Sequence, residues 1–458
     1  MKKIVGLFIV STFLFACSGN IEKDGSTSSE QAAIVDGKLH HVDWSKNATI
    51  YEANIRQMTP EGTFKALESD LVDIKKLGIK IIWLMPIQPI GELNRKGGLG
   101  SYYSVRDYKA INPEYGSLED LQSLVNKAHE LDMKVILDWV ANHTAWDHPW
   151  TISHPEWYTK DSLGNFMSPV PDWSDVIDLN YDNEDMRREM INDMKYWVEE
   201  ADVDGFRCDV AYFVPTDFWN DLRSALDSIK PVFMLAEADQ ADHHYEAFDM
   251  SYGWELLHIM NHVASGDSSL QSIDAYMQRE LKRYSRNDYR MYFLTNHDEN
   301  SWNGTIEKRY GAAEKAYAVL AFTINGMPLI YSGQEYGNNK ALAFFEKDNP
   351  NYAEAEIFDF YSRLLHLNEE NEALWNGEFG GDYTRILSTD DDNIFALKRK
   401  KGDNVVISVV NLSDMERSFQ LNMEEEFTLT DLFNENETEL SSNTIVTLPP
   451  FGYKVMFK

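Results

Sequence analysis

The sequence predicts an α/β protein: a (β/α)8 barrel with a short loop domain inserted after the third strand and an all-β sandwich domain at the C-terminus. Three observations lead there. From about residue 48 short apolar runs alternate with amphipathic stretches of helical period, and eight such apolar runs follow one another. Beyond about residue 379 the texture changes to brief alternating runs separated by turn residues. The length, 458 residues, fits one large domain plus a minor one.

The chain opens with MKKIVGLFIVSTFLFAC, in which basic Lys2 and Lys3 precede an apolar run too short for a comfortable membrane span. Residues 1–17 have the form of an export signal. The ending LFAC resembles a bacterial lipoprotein signal, in which Cys17 is lipidated; a plain signal peptide cut nearby is the alternative. Residues 18–40 are small and polar, as in a flexible tether. The expectation is an exported protein, lipid-anchored to a bacterial membrane at the outer membrane or the periplasmic face.

Residues 41–378 carry the barrel pattern. ATIYEANIRQ reads as a strand, TFKALESDLVDIKKLG as a helix stopped by Gly78, and IKIIWLMPI as the second strand. LEDLQSLVNKAHELD leads to KVILDWVAN, MRREMINDMKYWVEE to VDGFRCDVA, and DFWNDLRSALDSIK to PVFMLAEA. AFDMSYG, RMYFLTNHD and GMPLIYSGQE complete the eight, with helix-like AAEKAYAVLAFTIN between the last two. The insert, residues 144–178, holds Trp146, Trp150, Trp157 and Trp173, each of which suits either packing or contact with a ligand. Residues 379–458 (NIFALKRK, NVVISVVNLS, IVTLPPFGYKVMFK) read as the sandwich.

The chain has 42 basic and 75 acidic residues, a formal charge of -33. So acidic a surface repels phosphate backbones, which excludes nucleic acid as a partner, and repels anionic lipid, which leaves the N-terminal lipid as the membrane contact. Cys17 and Cys208 are the only cysteines, so no disulfide framework forms. Strand alternation turns Cys208 away from its neighbours Arg207 and Asp209, making it a packed core thiol.

In a barrel, chemistry collects at the C-terminal ends of the strands. There the sequence puts Asp138, Asn142 and His143, then Arg207 and Asp209, then Glu237, then Asn296, His297 and Asp298. An arginine two places before an aspartate in a buried strand calls for a structural salt bridge or a reaction that uses both groups. No Cys/His cluster suggests zinc, no serine or cysteine has a nucleophile's surroundings, and no glycine-rich phosphate loop is present. Paired carboxylates suit glycoside cleavage, one attacking or stabilising the anomeric carbon and the other handing a proton to the leaving oxygen.

Four motifs in order, DWVANH (138–143), GFRCD (205–209), Glu237 in LAEAD and TNHD (295–298), resemble those of glycoside hydrolase family 13, the α-amylase family, over roughly residues 41–458. The resemblance implies Asp209 as nucleophile, Glu237 as general acid/base and Asp298 as the acid that holds sugar hydroxyls. It implies carboxyls of Asp209 and Glu237 about 5 to 5.5 Å apart, as retention of configuration requires. Arg207 would keep Asp209 ionised, while Glu237 needs a raised pKa. His143 and His297 would donate hydrogen bonds to the same sugar, with Tyr103 stacked beneath it. Asn142 matches a position that often ligates structural calcium, its alternative being a loop-fixing amide; no cofactor is required for the chemistry.

Two departures from the family pattern stand out. Ser101 occupies the place of a histidine, and Val210-Ala211-Tyr212-Phe213 follows the nucleophile where many amylases have a Lys-His pair. The expected activity is hydrolysis of α-1,4-linked glucans or maltooligosaccharides. Transfer to a second sugar through the same intermediate, or glucan binding without catalysis, are the alternatives. The resemblance also favours a monomer, because no N-terminal sandwich of the kind found in dimeric cyclodextrin-cleaving relatives is visible.

Overall fold

In the computed structural model, which describes residues 39–351 and 355–458, all eight apolar runs become strands of one closed parallel barrel. They are β1 (Ile50–Ala53), β2 (Ile81–Leu84), β3 (Lys134–Trp139), β4 (Gly205–Cys208), β5 (Phe233–Ala236), β6 (Met250–Tyr252), β7 (Tyr289–Tyr292) and β8 (Met327–Tyr331). Each pairs with the next, and β8 closes on β1 through Ile50 opposite Leu329. The signal with Cys17 and nearly all of the tether lie outside the described residues. No helix among the described residues is long and apolar enough to cross a membrane.

The first strand is shorter than its sequence run. It ends at Ala53, and Ile55–Met58 coils into a helical turn because the Asn54 carbonyl accepts from the Gln57 and Met58 amides. Helix α1 (Phe64–Leu77) starts where the Thr63 hydroxyl accepts from the Ala66 amide, and stops at Gly78, whose φ of 101° a side chain rarely adopts. A reciprocal capping box between Ser117 and Asp120 opens α2 (Leu118–Glu130). Helices α3 (Glu184–Ala201) and α4 (Thr216–Asp227) follow, each burying one apolar face against the barrel.

One crossover departs from strict βα alternation. Residues 237–249, between β5 and β6, hold only the 3-10 turn Ala241–His244, a connection barely long enough to bring the chain back parallel. Between β6 and β7 the chain makes two helices, α5 (Trp254–Ser265) and α6 (Gln271–Arg283). Helix α7 (Glu314–Thr323) leads into β8, and α8 (Ala355–Glu370) completes the outer ring. The insert is a loop domain whose base is a two-stranded ladder, His143–Ala145 against Val176–Asp178.

The C-terminal region is a sandwich, as its alternating runs predict. A six-stranded antiparallel sheet is built from β9 (Asp382–Ile386), β10 (Ile394–Lys401), β11 (Asn404–Asn411), β13 (Phe427–Asp431), β14 (Glu437–Leu440) and β16 (Tyr453–Phe457). It faces a two-stranded sheet of β12 (Arg417–Gln420) and β15 (Ile445–Leu448). Ile407 and Met456 from the first sheet share a core with Phe419 and Leu448 from the second. Arg399, fully buried, bolts the sandwich to the barrel by donating to the carbonyls of Ile324 (2.8 Å) and Gly381 (3.1 Å).

At the start of β4 the neighbouring strand comes so close that a Cβ on Gly205 would collide with the Phe233 carbonyl. Gly205→Ala should therefore destabilise the protein by ~3 kcal/mol through forced separation of β4 and β5. Urea unfolding of the two proteins checks this, and equal midpoints would contradict it.

Candidate active site

Arg207 organises the mouth of the barrel. Placed by β4, it is fully buried, and Nη1 donates to Asp138 Oδ1 at 2.9 Å and Asp209 Oδ1 at 3.1 Å. Nη2 stands 2.8 Å from Glu237 Oε2 as an ion pair too oblique for a hydrogen bond. Nε donates to the Tyr252 hydroxyl at 3.1 Å, and Trp83 and Tyr252 flank the cation at 5.0 and 5.6 Å. Burial by itself would lower the pKa of this guanidinium, but Asp138 and Glu237 reverse the effect and hold it well above the usual range. The cation is therefore permanent.

Asp209 and Glu237 are reached from adjacent strands. Asp209 follows β4, and Glu237 follows β5. Between them Val210 adopts a left-handed conformation, φ 36°, rare for a β-branched residue, and this turn aims its amide at Glu237 Oε2 at 2.9 Å. Strain here coincides with orientation of a carboxylate.

Arg207 is divided among three carboxylates, Asp138, Asp209 and Glu237. Burial pushes the Asp209 carboxyl well up, the nearby Glu237 charge adds to this, and Arg207 pulls it back. Ionisation of Asp209 is thus a property of the whole cluster, in which Arg207 opposes its protonation.

A second chain of contacts runs to the far side. The Tyr103 hydroxyl donates to Asp138 Oδ2 at 3.0 Å and sits 2.8 Å from His297 Nε2, with the two rings stacked at 5.3 Å. His297 Nδ1 pairs with Glu52, which is fully buried on β1, and Nε2 lies 3.4 Å from Asp298 Oδ2. Burial pulls the His297 pKa down, but Asp298 and Glu52 outweigh it and carry it up to about 9, so the ring is an imidazolium at neutral pH. Both its nitrogens face protein partners, so His297 acts on whatever Asp298 and Tyr103 hold. His143 is the opposite case: burial drops its pKa to about 3, and the Asn142 amide donates to its Nδ1 at 3.2 Å, which leaves the proton on Nε2.

Of the residues singled out in the sequence, Tyr103, His143, Asp209, Glu237, His297 and Asp298 line one cleft of about 350 Å³, while Asp138, Asn142, Arg207 and Asn296 do not. Arg207 lies beneath its floor. Of the four insert tryptophans, Trp173 lines the cleft, while Trp150 and Trp157 pack edge-on at 4.9 Å and Trp146 donates to the Ser174 carbonyl. Ser101, in the histidine's place, is at the rim, its hydroxyl accepting from the Tyr103 amide at 3.2 Å. Cys208 is fully buried, as alternation predicts. Asn142 has its amide turned to His143, and no group of three or more His, Cys, Asp or Glu suited to a metal exists among the described residues. The Asn142–His143 contact fits the loop-fixing amide.

Glu52 and the structural role of Asp138 escape the motif reading. Asp138 also accepts from the Trp83 indole at 3.1 Å, joining β2, β3 and β4. The signal for Glu52 was available: an acid in the middle of the strand run IYEA needs a buried partner for the same reason that Arg207 does.

The chain matches known proteins along most of its length. The family described as Alpha amylase, catalytic domain, matches residues 26–171 and 155–363, and the Maltogenic Amylase, C-terminal domain, matches 384–455. Alpha-amylase 3 of Dictyoglomus thermophilum is 30% identical over 83% of this chain and 88% of its own. A cyclomaltodextrinase of Thermoanaerobacter pseudethanolicus is 25% identical over 84% of this chain and 69% of its own. Among solved structures, the noncanonic maltogenic α-amylase AmyB of Thermotoga neapolitana superposes with a TM-score of 0.83, at 32% identity, covering 90% of this chain and 98% of that one. An α-amylase of Lactobacillus plantarum gives 0.81 at 29% identity, covering 91% and 99%.

The Glu52–His297 pair has a measurable signature. In Glu52→Gln the His297 pKa should fall from about 9 towards ~7, read by NMR titration with His297→Asn to assign the signal. Because the folded-state pKa is raised, the pair stabilises fully below pH ~6.5 and loses that contribution as pH rises through about 9. Urea midpoints should accordingly drop between pH 7 and pH 10 more in the parent than in Glu52→Gln; parallel curves would contradict the pairing.

Proposed function

The chain belongs to the α-amylase family, glycoside hydrolase family 13, and on that premise we propose that it is a retaining glycosidase cleaving α-1,4-glucosidic bonds of starch-like glucans or maltooligosaccharides. The observation that carries this reading is the single guanidinium of Arg207 spanning Asp209 and Glu237 on the floor of the cleft that Asp298 also lines. Two carboxylates gathered that closely suit double displacement at one anomeric carbon.

In the first step an Asp209 oxygen attacks the anomeric carbon while the glycosidic C–O bond breaks and the Glu237 proton passes to the leaving oxygen. In the second, water gives its proton to Glu237 and its oxygen to the anomeric carbon, releasing Asp209. Bond formation at Asp209 removes one negative charge from the cluster, which favours Glu237 as the base for the second step. Asp298, backed by the His297 imidazolium, holds sugar hydroxyls, His143 offers its Nε2 proton to the same ring, and Tyr103 supplies the stacking face.

Transfer to a sugar acceptor runs beside hydrolysis in this reading. Tyr212 and Phe213, which stand where many relatives carry Lys-His, are 46% and 44% exposed. Tyr212 lines the cleft within electrostatic reach of Glu237, a position suited to stacking an acceptor ring. Export and tethering through Cys17 complete the proposal, resting on the sequence of residues 1–17, with the protein acting as a monomer.

Asp209→Asn should lower turnover of maltoheptaose by ~10⁴-fold or more with unchanged circular dichroism. Glu237→Gln should be comparably slow on maltoheptaose yet recover much of its first step on maltosyl fluoride, whose leaving group needs no proton. Substantial activity in Asp209→Asn, or equal losses on both substrates in Glu237→Gln, would overturn these roles.

A further inference from the structure

The two flanks of the cleft are built differently. Glu237 marks the leaving-group flank, because a general acid must stand beside the oxygen it protonates, and there Tyr212 and Phe213 are open to solvent. The other flank, beyond Asp298 and Tyr103, meets three loops that are tied to one another.

The loop after β8 carries Phe344, Phe345 and Glu346, and the loop after β2 carries Lys96, Gly97, Gly98 and Leu99. The Leu99 amide donates to the Phe345 carbonyl at 2.9 Å, and the Gly98 amide donates to the Glu346 carboxylate. This approach is close enough that a Cβ on Gly97, whose φ is 64°, would strike the root of the Phe345 side chain, which explains that glycine. Lys96 then reaches the insert, its Nζ 3.0 Å from Asp175 Oδ1 and 2.6 Å from the Asp172 carbonyl. The rim is therefore continuous from β8 to the insert.

Buried polar groups hold this rim from below. The Gln57 amide, 1% exposed, donates to the carbonyls of Ala343 (2.9 Å) and Glu346 (2.8 Å), and Lys347 Nζ returns to the carbonyls of Arg56 and Thr59. Asn300 clamps the same loop from the π-helical turn after Asp298, donating to the Lys340 carbonyl and accepting from the Leu342 amide at 2.8 Å. On the inner face Phe344 lies nearly parallel to Tyr103 at 6.4 Å and packs on Trp302 at 5.3 Å. These ties brace residues 340–347 against the turn after β1, the loop after β2 and the turn after Asp298, and make this part of the rim a wall.

We infer that this wall ends the cleft on the glycone side, so that the protein attacks glucan chains from their non-reducing ends and releases short products of one size. The inference rests on the roles proposed for Asp209 and Glu237: the anomeric carbon attacked by Asp209 belongs to the sugar on the wall side, and everything beyond it toward the wall is the non-reducing end of the chain. A chain that continues past that end meets Phe344, Phe345 and Lys96, whereas a chain extending past Glu237 leaves over Tyr212.

The test uses maltoheptaose carrying a fluorescent label at its reducing end, with and without a 4,6-O-ethylidene block on the non-reducing glucose. The parent should shorten the free substrate initially by one fixed number of glucose units and cut the blocked one at least ~100-fold more slowly, because the block must clash with the wall. Phe345→Ala should narrow that ratio ~10-fold by thinning the wall. Lys96→Ala serves the same purpose if thermal melting shows Phe345→Ala to be unfolded. Cleavage of both substrates at similar rates, a ladder of early product lengths, or an unaltered ratio in a folded wall variant would overturn the inference. Failure to cut either substrate would instead overturn the glycosidase reading on which it stands.

Discussion

The architecture of the site depends on one buried cation. A guanidinium with no exposed surface cannot be neutralised by water, so the fold must surround it with negative charge, and the strands deliver Asp138, Asp209 and Glu237 to it from three successive staves of the barrel. The acids are in turn held together against their own repulsion by the cation they share. Neither side of this arrangement is stable in the barrel without the other, and the close placement of Asp209 and Glu237 is a consequence of the mutual dependence.

The same logic orders the surrounding groups. Two histidines at the same mouth take different charge states: His143, whose burial is opposed only by a hydrogen bond to the Tyr103 backbone, stays neutral, and His297, between Glu52 and Asp298, is protonated. Tyr103 links the two halves of the cluster through Asp138. Around this fixed centre the loops supply shape, and they do so unequally, with a cross-braced rim beyond Asp298 and exposed aromatic rings beyond Val210. The strained Val210 backbone is where the two meet, since it both orients Glu237 and turns the chain out toward Tyr212.

Much of this was legible in the residues. All eight barrel strands stand where short apolar runs announced them, and α1 runs to Gly78 as its sequence indicates, because local propensity, cap chemistry and burial agree there. The strand ends could be read because charged residues in buried runs need an explanation. Glu52 obeys the same rule, but nothing adjacent to it in sequence points to His297, which is distant in the chain and joined only by barrel closure. The division of Arg207 among three acids was likewise invisible: alternation places Arg207 and Asp209 on one face but is silent about the neighbouring strands. The missing helix between β5 and β6 and the tied loops of the rim depend on tertiary contact, which periodicity does not encode.

The central claim is that Asp209, held in the field of Arg207 and beside Glu237, forms the covalent bond to the sugar. Incubation with a 5-fluoro-α-glucosyl fluoride, followed by proteolysis and mass spectrometry, tests it most directly. Attachment of one fluoroglucosyl group to the peptide containing Asp209, with loss of activity in proportion, is the predicted result. A label on any other carboxylate, or full retention of activity after every copy of Asp209 has been labelled, would contradict it.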